Sequence, residues 1–173
     1  MLRLIIRFLF VMSGFCSILF VSCSEDEECR QTRYVRMYAG FYTINTDTIT
    51  NIESEARLKL TDSLSVRGIG AESFLYTNAA RKDSVNLPLN KSANLSEFVF
   101  TFKDSLSVTV SDTVGIYYEN HERYLSFECG CLNTFTLDSL KIKTTHHYID
   151  SVVVKFKEVN TTHVENIKIY HTR

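Results

Sequence analysis

From Glu97 onward, apolar and polar residues alternate with a period of two. Phe98, Phe100 and Phe102 fall on one parity, and Val99, Thr101 and Lys103 on the other. The pattern recurs as Leu140 and Ile142 against Lys141 and Lys143, as Val152, Val154 and Phe156 against Lys155 and Lys157, and as Ile167 and Ile169 against Lys168 and Tyr170. Side chains of a strand point alternately to its two faces, so this is the signature of antiparallel strands with one face on a core and one in water. Further strand candidates are residues 33–42, 64–68, 84–87, 106–110, 114–119 and 124–129. No stretch sustains a helical period, and residues 51–60 hold at most one short turn. Short strands joined by short turns predict one all-β domain, an antiparallel β-sandwich of Ig-like or jelly-roll-like type with little helix.

The first 22 residues differ from the rest. Arg3 and Arg7 precede an apolar run from Phe8 to Val21, with no acid among them. This is the outline of a signal peptide, and the run falls short of the roughly 20 apolar residues that a spanning helix needs. It ends in Phe20-Val21-Ser22-Cys23, a small residue immediately before a Cys, which resembles a bacterial lipobox with Phe20 in place of the usual Leu. Cys23 is thus the expected lipidation site. Ser24 and the four acids Glu25 to Glu28 follow. They read as a solvated tether, and also resemble the signal that exports lipoproteins of Bacteroidota to the outer face of the outer membrane. The expected organisation is a lipoprotein signal peptide over 1–22, a lipidated Cys with acidic tether over 23–28, and a single β-sandwich domain over 29–173. The expected location is the outer membrane, exposed at the cell surface, with a periplasm-facing position as the alternative.

The whole chain carries 19 basic and 20 acidic residues. Without Arg3, Arg7 and the four tether acids, the body has 17 basic against 16 acidic residues, a net of +1. A body this neutral has no electrostatic footprint for a nucleic acid.

An Asp followed by Ser or Thr and an apolar residue occurs seven times, with irregular spacing. The hydroxyl residues are Thr48, Ser63, Ser84, Ser105, Thr113, Ser139 and Ser151. Asp and Ser side chains satisfy nearby backbone amides in turns, after which the apolar residue opens the next strand. The triplet also resembles the O-glycosylation acceptor of exported Bacteroidota proteins, so these seven residues are candidate modification sites.

Cys16 leaves with the signal peptide and Cys23 takes the lipid, so Cys29, Cys129 and Cys131 remain for an oxidising compartment. Two Cys at alternate positions of a flat strand lie roughly 6.6–7 Å apart, at the limit for a bridge. Cys29 with Cys129 is the preferred pair and Cys29 with Cys131 the alternative. Three Cys and one of His121, His146, His147, His163 or His171 supply atoms that zinc accepts, but Cys-x-Cys is not the paired spacing of a zinc site. No phosphate loop, His-Glu-x-x-His or nucleophile elbow is present. No metal, no cofactor and no enzymatic activity are expected.

Several segments together carry a family resemblance: the lipobox Cys with its acidic tail, a Cys soon after, Leu64 to Asn78, Asn86-Leu87-Pro88-Leu89, Cys129-Gly130 and the closing Glu165 to His171. In this order they resemble the Bacteroidota lipoproteins of domain of unknown function 6452. The resemblance implies a one-domain all-β lipoprotein with the early Cys and Cys129 paired. Cys131 departs from the pattern and is then a spare thiol. No activity is implied.

Two roles follow as expectations. One is a structural or interaction lipoprotein that is held to the membrane by its lipid and binds another envelope protein. The other is a surface-displayed glycan-binding accessory protein, for which Tyr34, Tyr38, Tyr117 and Tyr118 would have to replace the absent Trp. A row of three coplanar exposed aromatics would mark the second role, and a continuous exposed apolar patch the first.

Overall fold

The computed structural model describes residues 34–127 and 129–171, and among these there are eleven strands and no helix. The chain divides into two units, residues 1–32 and 33–173, and the fold described is that of the second. The strands are β1 (Met37–Thr46), β2 (Glu53–Arg57), β3 (Ser63–Gly68), β4 (Tyr76–Ala79), β5 (Ser84–Leu87), β6 (Leu95–Lys103), β7 (Thr109–Ser126), β8 (Gly130–Thr144), β9 (Ser151–Val154), β10 (Glu158–Val159) and β11 (Glu165–Tyr170).

They form two sheets, as a β-sandwich requires. The first has the order β2-β1-β11-β9, and β5 pairs with the first half of β1 while β2 pairs with its second half. The second has the order β10-β8-β7-β6-β3-β4. All pairings are antiparallel except that of β1 with β11, which is parallel. The expected antiparallel sandwich is thus what forms, with this one parallel pair inside its first sheet. The first and last strands are each satisfied locally by alternation, and alternation carries no information about strand direction.

The core lies between inward parities. Met37, Ala39 and Phe41 of β1, Val85 and Leu87 of β5, and Ile167 and Ile169 of β11 are buried on one side. Leu64, Val66, Phe98, Phe100, Phe102, Val114, Ile116, Phe135 and Leu137 are buried on the other. Phe41 meets Phe100 edge to face at 6.5 Å and 85°, joining β1 to β6. Removing a fully buried Phe of this kind costs about 3–5 kcal/mol.

Several strand expectations shift. Residues 106–110, 114–119 and 124–129 are not three strands: β7 takes in Thr109 to Ser126 as one, Leu106 is 82% exposed in the preceding turn, and the chain turns after Ser126. Gly130, at φ +67°, opens the return strand in a conformation that favours glycine. Leu140 shares parity with Ile142, which packs half-buried against the core, yet is 93% exposed. Ile116 pairs with Ile142 and Tyr118 with Leu137, so residues 138–141 bulge out opposite Tyr117. Phe156 lies beyond the end of β9 and is half exposed. Residues 51–60 hold β2 in place of a helical turn.

Candidate functional site

The most polar point of the interior is Asp112, on the core-facing parity of β7 beside Val114 and only 1% exposed. A carboxylate there must be met by donors. Its Oδ1 accepts the Thr145 hydroxyl at 2.6 Å, the His147 amide at 2.9 Å and His147 Nδ1 at 3.0 Å. Oδ2 accepts the amides of Tyr148 and Ile149 at 2.6 and 2.8 Å. Burial alone would raise its pKa, but the Thr145 hydroxyl and the three amides outweigh burial and hold it at about 2. One carboxylate therefore fixes the loop that leads from β8 to β9. That loop presents Tyr148, whose ring stacks on Phe102 at 4.1 Å and on His171 at 3.7 Å. The Tyr148 hydroxyl donates to Asp62, and His171 Nδ1 lies 2.7 Å from the Tyr148 carbonyl.

A second cluster covers the outer face of the first sheet. Glu165 lies across Gly40, where a methyl group would collide with the carboxylate and come within 2.9 Å of the Tyr42 ring. Tyr42 donates to Glu165 at 2.7 Å and Arg57 donates at the same distance. Lys168 bonds both oxygens of Glu55 and stands 4.7 Å over the Tyr42 ring. Burial opposes ionisation of Glu165, but the Tyr42 and Arg57 hydrogen bonds and the charges of Arg57 and Lys155 bring its pKa below the ordinary value. These groups satisfy one another, and together they lock β2 and β9 to the β1–β11 pair.

A cleft of about 320 Å³ opens where β3 ends and β6 begins. Gly68, Ile69, Ala71, Ser73 and Leu75 form one wall, Pro88, Leu89 and Asn90 another, and Leu95 to Phe98 the floor. Gly70, at φ +81°, turns the first wall. The segments 64–78 and 86–89, singled out for their resemblance, thus converge on one opening.

The description "Family of unknown function (DUF6452)" belongs to a family model that matches residues 63–171. The chain belongs to the DUF6452 family. The match takes in the cleft, Asp112 and the aromatic stack, and begins after β2, so it is narrower than the whole-body likeness expected. No curated protein and no solved structure gives a match.

The expected site residues of this DUF6452 chain separate clearly. Cys23, Cys29 and the residues of the signal and tether lie outside the described residues. Cys129 is disulfide-bonded, and Cys131 is a free, exposed thiol whose pKa is raised by partial desolvation and by the Glu122 carboxylate. Thr48, Ser105, Ser139 and Ser151 are exposed, whereas Ser63, Ser84 and Thr113 are half-buried on strands. The turn chemistry expected of the triplets holds at three of them. Asp47 accepts the amides of Ile49 and Thr50, Asp104 that of Val108, and Asp138 that of Leu140. Asp112 departs from it, because it lies within a strand and holds a distant loop.

His147 is 66% exposed, while His146 Nδ1 lies 3.3 Å from the Ile149 carbonyl. Among the described residues, no group of three or more His, Cys, Asp or Glu is placed for a metal ion. Tyr118 is buried, with its hydroxyl bonded to Ser96 and the Asn90 carbonyl, while the adjacent Tyr117 lies under Lys143. Tyr38 tilts against His163, and Tyr34 is exposed. These four tyrosines form no coplanar row. Sequence reasoning missed the roles of Asp112 and Glu165. The available signal was parity: an Asp on the same face as Val110, Val114 and Ile116 has to be a carboxylate with partners.

Proposed function

We propose that the chain is a non-enzymatic, lipid-anchored envelope protein of Bacteroidota that serves as a structural or interaction module at the outer membrane, displayed at the cell surface. The observation that carries this reading is Ser22-Cys23 at the end of the apolar run, with four acids after it. Cys29 pairs with Cys129 in this reading and ties the tether to the body. The all-β body supports a binding role, because its polar clusters are mutually satisfied while its clefts and turn tips are exposed. A protein partner has more support than a glycan, since the tyrosines do not align for stacking on sugar rings. Thr48, Ser105, Ser139 and Ser151 are the accessible acceptors for O-glycosylation.

Metabolic labelling with an alkyne fatty acid tests the anchor. Label that depends on Cys23, and is lost in Cys23→Ala, is the expected outcome. Label that persists in that variant rejects the lipobox. Protease shaving of intact cells separates surface display, which predicts removal of the domain, from a periplasm-facing position, which predicts protection.

A further inference from the structure

The turn from β7 to β8 brings together two cysteines in different states. Cys129 is disulfide-bonded, Cys131 is a free, exposed thiol, and Gly130 alone separates them. Cys129 lies in the turn itself, where its amide donates to Ser126 Oγ at 3.0 Å. Gly130 pairs with Ser126 and opens β8 at φ +67°. The backbone between the two cysteines is therefore left-handed, and the roughly 6.6–7 Å that separates alternate residues of a flat strand does not apply to them. A thiol and a disulfide sulfur held two residues apart are the reactants of thiol–disulfide exchange, in which the thiolate attacks.

Cys131 is paired with Tyr124 on β7, and Glu122 lies on the same face two residues along. Arg123 pairs with the buried Leu132 and takes the opposite parity. Partial desolvation, the Glu122 charge and the hydrogen bond between Glu122 and the thiol keep the Cys131 pKa above its ordinary value. The thiol is thus exposed and next to its target but mostly protonated at neutral pH, which keeps it unreacted.

We propose that Cys129-Gly130-Cys131 is an internal thiol–disulfide exchange site, in which Cys131 displaces the cysteine now bonded to Cys129. The Cys131 thiolate attacks Cys129 Sγ and forms a Cys129–Cys131 bond. The bond from Cys129 to its partner breaks, and the partner leaves as a thiolate that takes up the proton Cys131 gave away. One disulfide and one thiol stand on each side of the reaction, so no oxidant or reductant is consumed. The result is a staple that opens without reduction. That the released thiol is Cys29, which frees the tether, rests on the pairing proposed above; the exchange itself does not.

The test uses the full chain, extracted unreduced from its own membranes in detergent at about pH 5, where thiols are protonated. It is held at about pH 7 to 9 with no added thiol or oxidant, quenched in acid, alkylated with N-ethylmaleimide and mapped by peptide mass spectrometry. A peptide closed by a Cys129–Cys131 bond is expected, together with an equal amount of one newly alkylated cysteine elsewhere in the chain. The rate is independent of protein concentration and climbs about tenfold per pH unit while Cys131 is mostly protonated. Cys131→Ser releases nothing, and Glu122→Gln speeds the exchange about threefold or more at neutral pH. No released cysteine after hours at the highest pH, equal release in Cys131→Ser, or a partner that moves from Cys129 to Cys131 overturns the proposal. Release of Cys29 upholds both the exchange and the tether pairing, whereas release of a different cysteine upholds the exchange and rejects that pairing. Cys129 alkylated before incubation overturns both.

Discussion

Asp112→Ala removes the acceptor for the Thr145 hydroxyl, three backbone amides and His147 Nδ1 at a site 1% exposed. Hydrogen bonds to a charged acceptor contribute about 1.5–3 kcal/mol each, and a buried donor left unmet costs about 1–3 kcal/mol. The bonds share one carboxylate and the loop can reach water, so they do not add, and the expected loss is about 3–5 kcal/mol. The pH dependence gives a second, independent figure. Asp112 has its pKa lowered from 3.8 to about 2. A lowered value means that the unfolded chain binds the proton first, so the contribution is complete above pH 3.8 and lost as pH falls toward 2. At about 1.4 kcal/mol per pH unit this is roughly 2 kcal/mol. It is smaller than the mutational loss because a protonated carboxyl still accepts hydrogen bonds. Urea unfolding at pH 7 and from pH 5 down to pH 2 measures both. A loss under about 1 kcal/mol at pH 7, or the same decline below pH 4 in wild type and Asp112→Ala, refutes the role given to the carboxylate.

Gly40→Ala forces the Glu165 carboxylate from its place and lowers stability by about 1–3 kcal/mol, and the cost shrinks in a Glu165→Ala background, as a double-mutant cycle of unfolding energies checks. Iodoacetamide modifies Cys131 but not Cys129 in the non-reduced protein, and Glu122→Gln speeds that reaction at neutral pH because the thiolate forms more readily. Mass spectrometry of the two peptides reads it. Non-reduced peptide mapping links Cys29 to Cys129, whereas a Cys29–Cys131 peptide contradicts that pairing. Glycopeptide analysis of protein from its own cells finds sugar at Thr48, Ser105, Ser139 or Ser151 before any at Ser63, Ser84 or Thr113.

Where a strand has one face on the core and one in water, its residues say so. Phe98, Phe100 and Phe102, and Ile167 with Ile169, lie inward as their parity demands, and β5 spans the four residues its pattern marks out. Leu140 shows the limit. Its parity is correct only if β8 stays in register, and four residues bulging opposite Tyr117 turn it to solvent. The parallel contact of β1 with β11 joins strands more than a hundred residues apart, which no local period reveals. Asp112 was visible as one of seven turn-like triplets, but its partners lie some 33–37 residues further on. The outer half of β7 was hidden for another reason: His121 to Tyr124 are exposed in succession, so this stretch lacks the alternation that marks strands elsewhere. The cleft residues were legible only as motif segments, and folding brought those segments together.

The central claim is that Cys23 becomes a lipidated N-terminus carrying an all-β body. Intact-mass spectrometry of the protein from its own membranes tests it most directly. The account predicts a chain that begins at Cys23 and carries a mass increment of acyl groups on that residue. A chain that retains Met1, or one cut elsewhere with Cys23 unmodified, contradicts it.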